Sequence, residues 1–146
     1  MKTSDLGREF NTGETIIRQG EPGNCMYVLQ AGKVEVVRED QGEEIHLTVL
    51  EKGDFFGEVP LFERRNQAGM VRATVRALDK ARVITVDKKT LLRRIHEDPA
   101  LAYHILQIMS RRVRELETEI VRVTNFYNKV QKIVLQKGPP LEQEQV

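Results

Sequence analysis

Between Pro99 and Gly138 no glycine or proline interrupts the chain. An unbroken run of that length leaves little choice of conformation. Asp98-Pro99 opens it well, with Asp as the N-cap and proline at the first helical position, where its missing N–H costs nothing. The run predicts one helix over 99–137, on the order of 55 Å long at about 1.5 Å per residue. Ala102, Leu106, Met109, Val113, Leu116, Ile120, Val123, Tyr127, Val130 and Val134 follow alternating steps of four and three. That is a heptad seam, with Leu106, Val113, Ile120, Tyr127 and Val134 at a, and β-branched residues there favour a parallel two-stranded coil. Arg112 at g and Glu117 at the following e are spaced for an interchain ion pair worth under about 1 kcal/mol. No other stretch predicts a helix long enough to cover the seam. The expectation is therefore a parallel homodimer through this helix, the alternative being a long helix buried within one chain.

Ahead of the helix the pattern is different. From Thr15 to Asp87 short apolar runs alternate with turn residues: Thr15–Ile17, Met26–Leu29, Val34–Val37, Ile45–Val49, Val71–Ala77 and Ala81–Val86. Ile45, Leu47 and Val49 fall on one face by alternation. Val71, Ala73, Val75 and Ala77 alternate in the same way against Arg72, Thr74 and Arg76. Regularly spaced short strands with turn signals between them predict an antiparallel sandwich or barrel. Asp87 then N-caps a short amphipathic helix carrying Leu91, Leu92 and Ile95. The organisation expected is a β domain with a short helix over 1–98, the long helix over 99–137, and a Pro- and Gln-rich disordered tail over 138–146.

Composition excludes more than it selects. The 146 residues carry a net charge of +1, with Lys and Arg spread along the chain, which gives no nucleic-acid or membrane signal. Without an 18-residue apolar run or a signal peptide, the protein is expected to be soluble and cytoplasmic. The single Cys25 forms no internal disulfide and has no metal-ligand spacing. His46 lies in a strand while His96 and His104 lie on or beside helices, so a metal-dependent enzyme is not expected. Arg93-Arg94 and Arg111-Arg112 read as solvated or interface helix charges rather than DNA contacts.

The stretch Gly53-Asp54-Phe55-Phe56-Gly57-Glu58-Val59-Pro60-Leu61-Phe62 sits between strands without being one. Gly57 frees the backbone for a close approach, Glu58 adds an acceptor-only carboxylate, and Val59 to Phe62 read as one apolar helical turn. A glycine at the mouth of such a turn leaves backbone N–H groups pointing outward, a common way to hold a phosphate. The carboxylate suits a sugar hydroxyl. Alone, the same residues also fit a tight turn with a solvated Glu.

Three stretches together resemble the cyclic-nucleotide-binding domain family, the module of the catabolite activator protein and of protein kinase regulatory subunits. They are Ile17 through Leu29 continuing to Gly32-Lys33-Val34, the Gly53–Phe62 stretch, which is similar to the phosphate-binding cassette, and Val71-Arg72-Ala73-Thr74. With the long helix, the resemblance spans about residues 9 to 135. It implies a mostly β fold: an antiparallel jelly-roll β-barrel (a double-stranded β-helix), then a short helix and one long C-terminal dimerisation helix. The implied ligand is cyclic AMP or cyclic GMP, with Phe56, Gly57, Glu58, Val59, Gln67, Ala68, Val36 and Leu47 as the binding residues and Glu58 as partner of the ribose 2′-hydroxyl. Gln67 stands where the family places an Arg that forks onto the exocyclic phosphate oxygens, and Ala68 stands at the small residue after it. An amide offers donors without charge. A charged hydrogen bond contributes about 1.5–3 kcal/mol, so its loss weakens binding about tenfold to 150-fold. Arg64 and Arg65 lie in the same loop, and Thr118 is the hydroxyl nearest the turn where the family's long helix closes over the base. The family's activators carry a DNA-binding domain after the long helix. Here the chain stops at Val146, so direct nucleic-acid binding is not expected and the chain is either a free-standing sensor or part of a longer protein. Two functions are consistent with these residues: a non-enzymatic cyclic-nucleotide sensor coupled to the dimer helix, or a dimeric interaction module with a degenerate, ligand-free pocket.

Overall fold

A computed structural model describes residues 7–63 and 69–136. Among these described residues eight strands and three helices follow in order: β1 (Arg8–Phe10), β2 (Thr15–Ile17), β3 (Cys25–Ala31), β4 (Val34–Asp40), β5 (Glu43–Leu50), β6 (Phe55–Phe56), α1 (Val59–Phe62), β7 (Thr74–Ala77), β8 (Ala81–Asp87), α2 (Lys88–Glu97) and α3 (Pro99–Gln136). The strands form two four-stranded antiparallel sheets, ordered β1-β8-β3-β6 and β2-β7-β4-β5. Among the described residues no strand pairing joins the two sheets, so the expected barrel is not closed; the strands stand as two sheets. The chain divides after Pro99 into two compact units.

Inside the first unit the alternating apolar positions converge. Phe10, Leu29, Val34, Leu50, Phe56, Val71, Val75, Ala77, Ala81 and Val83 form one buried cluster, with Ile16, Tyr27 and Val36 packed against it. Strands that bury one face in this way have their register specified by that face. Val36 pairs with Val75 of β7, which is 2 % exposed, and with Thr48 of β5.

Two expectations about the strands need correction. The alternation in Ile45–Val49 does not hold, because Val36 pairs with Thr48 while Val37 pairs with His46. Leu47 is thus the extra residue of a bulge, and a bulge shifts the facing of everything beyond it. Ile45, opposite Arg38, and Val49, opposite Glu35, therefore lie on different faces. The segment Val71–Ala77 also forms a shorter strand than its pattern suggests, beginning only at Thr74.

Asp87 caps α2 as expected, its carboxylate accepting the Thr90 N–H at 2.7 Å. Leu91 is buried, but Leu92 is 56 % exposed and lies off the apolar face. The second unit is dominated by α3, a helix of 38 residues. Along it the heptad positions Leu106, Leu116 and Ile120 are each more than 60 % exposed. Its polar surface carries local pairs, Arg122 to Glu119 at 2.7 Å and Arg111 to Glu115 at 3.7 Å. The Thr118 hydroxyl donates to the Arg114 carbonyl at 3.0 Å.

Candidate functional site

After β5 the chain turns back onto β3. The Gly53 N–H donates to the Leu29 carbonyl, and the Leu29 N–H to the Asp54 carbonyl, both at 2.9 Å. The Asp54 carboxylate closes the turn by accepting the Glu51 N–H at 3.0 Å. These bonds lay β6 against β3 with Phe56 opposite Tyr27 and Phe55 opposite Val28. Both phenylalanines are buried. Phe56 also stacks on Tyr27, the rings 5° from parallel with centroids 5.2 Å apart.

The next residue leaves the strand. Gly57 has φ +74°, and a Cβ there would lie 3.1 Å from Tyr27 Cδ2. For an L-residue the left-handed region costs about 1–2 kcal/mol, so glycine is the residue this turn requires. Glu58 returns to right-handed helical geometry, and its carbonyl accepts the N–H of Leu61 at 2.9 Å and of Phe62 at 3.2 Å. Its half-buried side chain makes no capping hydrogen bond to the turn it precedes. Pro60 sits in the first turn of α1, where it forfeits no helical bond. The Glu63 N–H ends the turn on the Val59 carbonyl at 3.0 Å.

Phe56, Gly57, Glu58 and Val59 therefore form one continuous piece of backbone, and Val36 packs against the same cluster that contains Phe56. Leu47, the bulge residue next to Thr48, which pairs with Val36, is 51 % exposed. Gln67 and Ala68, with Arg64 and Arg65, lie outside the described residues. On the opposite face of the β4–β5–β7 sheet Arg76 pairs with Glu35 at 3.1 Å and with Glu44. The hydrogen bonding that Arg76 donates to the Glu44 carboxylate is the main cause raising the Arg76 pKa. His46 Nδ1 lies 3.5 Å from Glu35 in the same network. Among the described residues no cluster of His, Cys, Asp or Glu is arranged to hold a metal ion.

Two features escaped the sequence. The Gly20–Gly23 turn is a clasp for the far end of the cassette: the Gly20 N–H donates to the Val71 carbonyl at 2.8 Å, the Val71 N–H to the Glu21 carbonyl at 2.9 Å, and the Gly23 N–H to the Gly69 carbonyl at 2.7 Å. Arg72, read as a strand residue, instead lies before β7, its guanidinium 3.5 Å from the Glu63 carboxylate at the end of α1.

Between the clasp and Gly57 lies a cavity of about 90 Å³, bordered by Ile17, Asn24, Cys25, Tyr27, Gly57 and Val71. That is well below the roughly 300 Å³ at which small-molecule pockets begin. Of the expected binding residues that are described, it touches Gly57 alone. At its wall the Tyr27 hydroxyl is pushed up to about 12, by burial first and then by a hydrogen bond with Cys25.

The model of the cyclic nucleotide-binding domain family matches residues 7–98 of the chain. A CRP-like cAMP-activated global transcriptional regulator of Mycobacterium tuberculosis is 28% identical over 131 residues, covering 88% of this chain and 57% of that protein. A cAMP-dependent protein kinase regulatory subunit of Blastocladiella emersonii is 36% identical over 85 residues, covering 58% of this chain and 20% of that protein. The crystal structure of the Thermus thermophilus catabolite activator protein superposes with a TM-score of 0.67 at 27% identity, covering 81% of this chain and 54% of that one. The chain spans between 20% and 57% of the length of these relatives.

Proposed function

The chain belongs to the cyclic nucleotide-binding domain family, and from that premise we propose that it is a non-enzymatic sensor that couples occupancy of a cyclic-nucleotide pocket to the position of a dimer-forming helix. The observation that carries this reading is the cassette itself. Gly57 at φ +74° and the half-buried Glu58 follow directly on Phe56, which is anchored in the cluster that Val36 also joins.

In this reading the Glu58 carboxylate accepts a ribose hydroxyl, backbone N–H groups from Gly57 to Val59 face the cyclic phosphate, and Val36 and Leu47 supply the apolar side of a jelly-roll pocket. Gln67 and Ala68 complete the phosphate side. Relatives described as cAMP-activated or cAMP-dependent make cyclic AMP the first ligand to test, with cyclic GMP second. The exposed heptad positions of α3 support a parallel homodimer through that helix. Coupling requires the ligand to favour one helix position over another, with Glu97–Pro99 as the hinge. The functional division is a sensing domain over 1–98, a coil over 99–137 and a tail over 138–146, with no nucleic-acid contact of its own. Among the described residues no helix is long and apolar enough to cross a membrane.

A second reading, a dimeric interaction module with a ligand-free pocket, is favoured by Gln67 at the place of the family's Arg. Calorimetric titration with cyclic AMP and cyclic GMP separates the two. Saturable binding of either supports the sensor. Absence of heat with both, up to millimolar ligand, leaves the interaction module.

A further inference from the structure

Resting on the reading of Phe56–Val59 as a ligand cassette, we infer that Tyr27 is its positioning residue: the Tyr27 ring is the floor that sets the direction of the Gly57–Val59 backbone. The ring stands on β3 directly opposite Phe56 and lies parallel to the Phe56 ring at 5.2 Å. One residue later the Gly57 turn passes so close over the same ring that a Cβ would lie 3.1 Å from Cδ2 and 3.5 Å from Cε2. β6 is two residues long at the edge of its sheet, and among the described residues it pairs with β3 alone.

So short a strand makes too few ladder bonds to define the angle at which the chain leaves it. The stacked ring supplies that definition. The Tyr27 ring is itself held, because it packs on the core cluster. With its pKa near 12, the hydroxyl stays protonated across ordinary pH, so the arrangement does not titrate. Beside the ring lies the cavity bordered by Gly57 and Val71. Removing the ring joins that space to the one beneath Gly57, and the turn gains room to sink away from the ligand.

The test compares Tyr27→Leu, which removes the stacking plane, with Tyr27→Phe, which keeps the ring and removes the hydroxyl, both in the full chain. Cyclic AMP affinity is measured by calorimetry, and amide hydrogen exchange is followed at Gly57, Glu58 and Val59 against Val28 and Leu29. Tyr27→Leu is expected to weaken binding about tenfold, equivalent to about 1.4 kcal/mol. Exchange should quicken at residues 57–59 while Val28 and Leu29 keep their protection. Tyr27→Phe should match the parent in both. Unchanged affinity in Tyr27→Leu, or protection lost evenly over β3 and the turn, overturns the inference, as does a Tyr27→Phe variant as impaired as Tyr27→Leu. If the parent binds no cyclic nucleotide, the sensor reading fails and the exchange pattern alone decides Tyr27: local quickening supports it, even loss refutes it. Should Tyr27→Leu not fold, Tyr27→Met, which keeps bulk without the plane, is read by the same criteria.

Discussion

Gly57→Ala puts a number on the cassette geometry. At φ +74° the added methyl carries the left-handed penalty of about 1–2 kcal/mol. It also meets Tyr27 at 3.1 Å and 3.5 Å and the Cys25 carbonyl at 3.6 Å. Phe56 pins the Tyr27 ring from its stacked side, so the ring cannot swing clear freely, and crowding of this kind costs about 1–3 kcal/mol. Together the change costs about 2–5 kcal/mol, taken in one of two ways. If the turn holds its shape, the β unit is destabilised, and at about 4–8 °C per kcal/mol the Tm falls by about eight degrees or more. If the turn relaxes out of the left-handed region, stability recovers in part but the backbone donors turn away, and cyclic AMP affinity falls by about a power of ten or more. Thermal melts by circular dichroism and calorimetric titration on the same sample read both. Gly32→Ala is the control, since its methyl would lie 2.3 Å from the Lys80 carbonyl oxygen at φ +80°, in the turn between β3 and β4. It should lower the Tm at least as much and leave the affinity of the folded protein alone. A Gly57→Ala protein with the parent's Tm and the parent's affinity would refute the reasoning.

The remaining predictions address other parts of the chain. Gln67→Arg is expected to raise cyclic AMP affinity by about one to two powers of ten, and Glu58→Ala in that background to lower it again; a tightly binding parent indifferent to Gln67→Arg would mean that other donors already neutralise the phosphate. Ile120→Lys places an ammonium at an a position of each helix, and sedimentation at micromolar concentration should show the parent as a dimer and the variant as a monomer; a monomeric parent removes the coil. Asp87→Ala removes the acceptor for the Thr90 N–H and should lower the Tm at neutral pH. The backbone hydrogen bond from Thr90 is the main cause holding the Asp87 pKa below its ordinary 3.8. That stabilisation is therefore complete above pH 3.8 and disappears as pH falls through the depressed folded value, so the melts of parent and variant should converge in acid. A Tm difference that persists unchanged in acid would mean the carboxylate's charge is not what caps α2.

Much of this protein is legible without coordinates, because much of it is local. The absence of glycine and proline after Pro99 sets the length of α3, Asp87 marks the start of α2, and Gly57-Glu58 followed by Val59–Phe62 marks the cassette turn. Each rests on interactions spanning about four residues or fewer, which a one-dimensional pattern records. The other strands, β2 to β5, β7 and β8, announce themselves by apolar runs for the same reason.

What the pattern does not record is pairing across long stretches of chain. β1 and β6 are three and two residues long, too short to show a period, and are strands only because β8 and β3 offer them an edge. The bulge at Leu47 belongs to the match between β4 and β5, not to β5, and it separates Val49 from the face that alternation assigned to it. The clasp between Gly20–Gly23 and Gly69–Val71, and the Tyr27 ring under Gly57, each join residues at least thirty positions apart. Backbone donors and acceptors are the same at every residue, so local sequence cannot specify which distant partner they find. That choice is made when the apolar faces of the two sheets close on one core, and tertiary structure alone decides it.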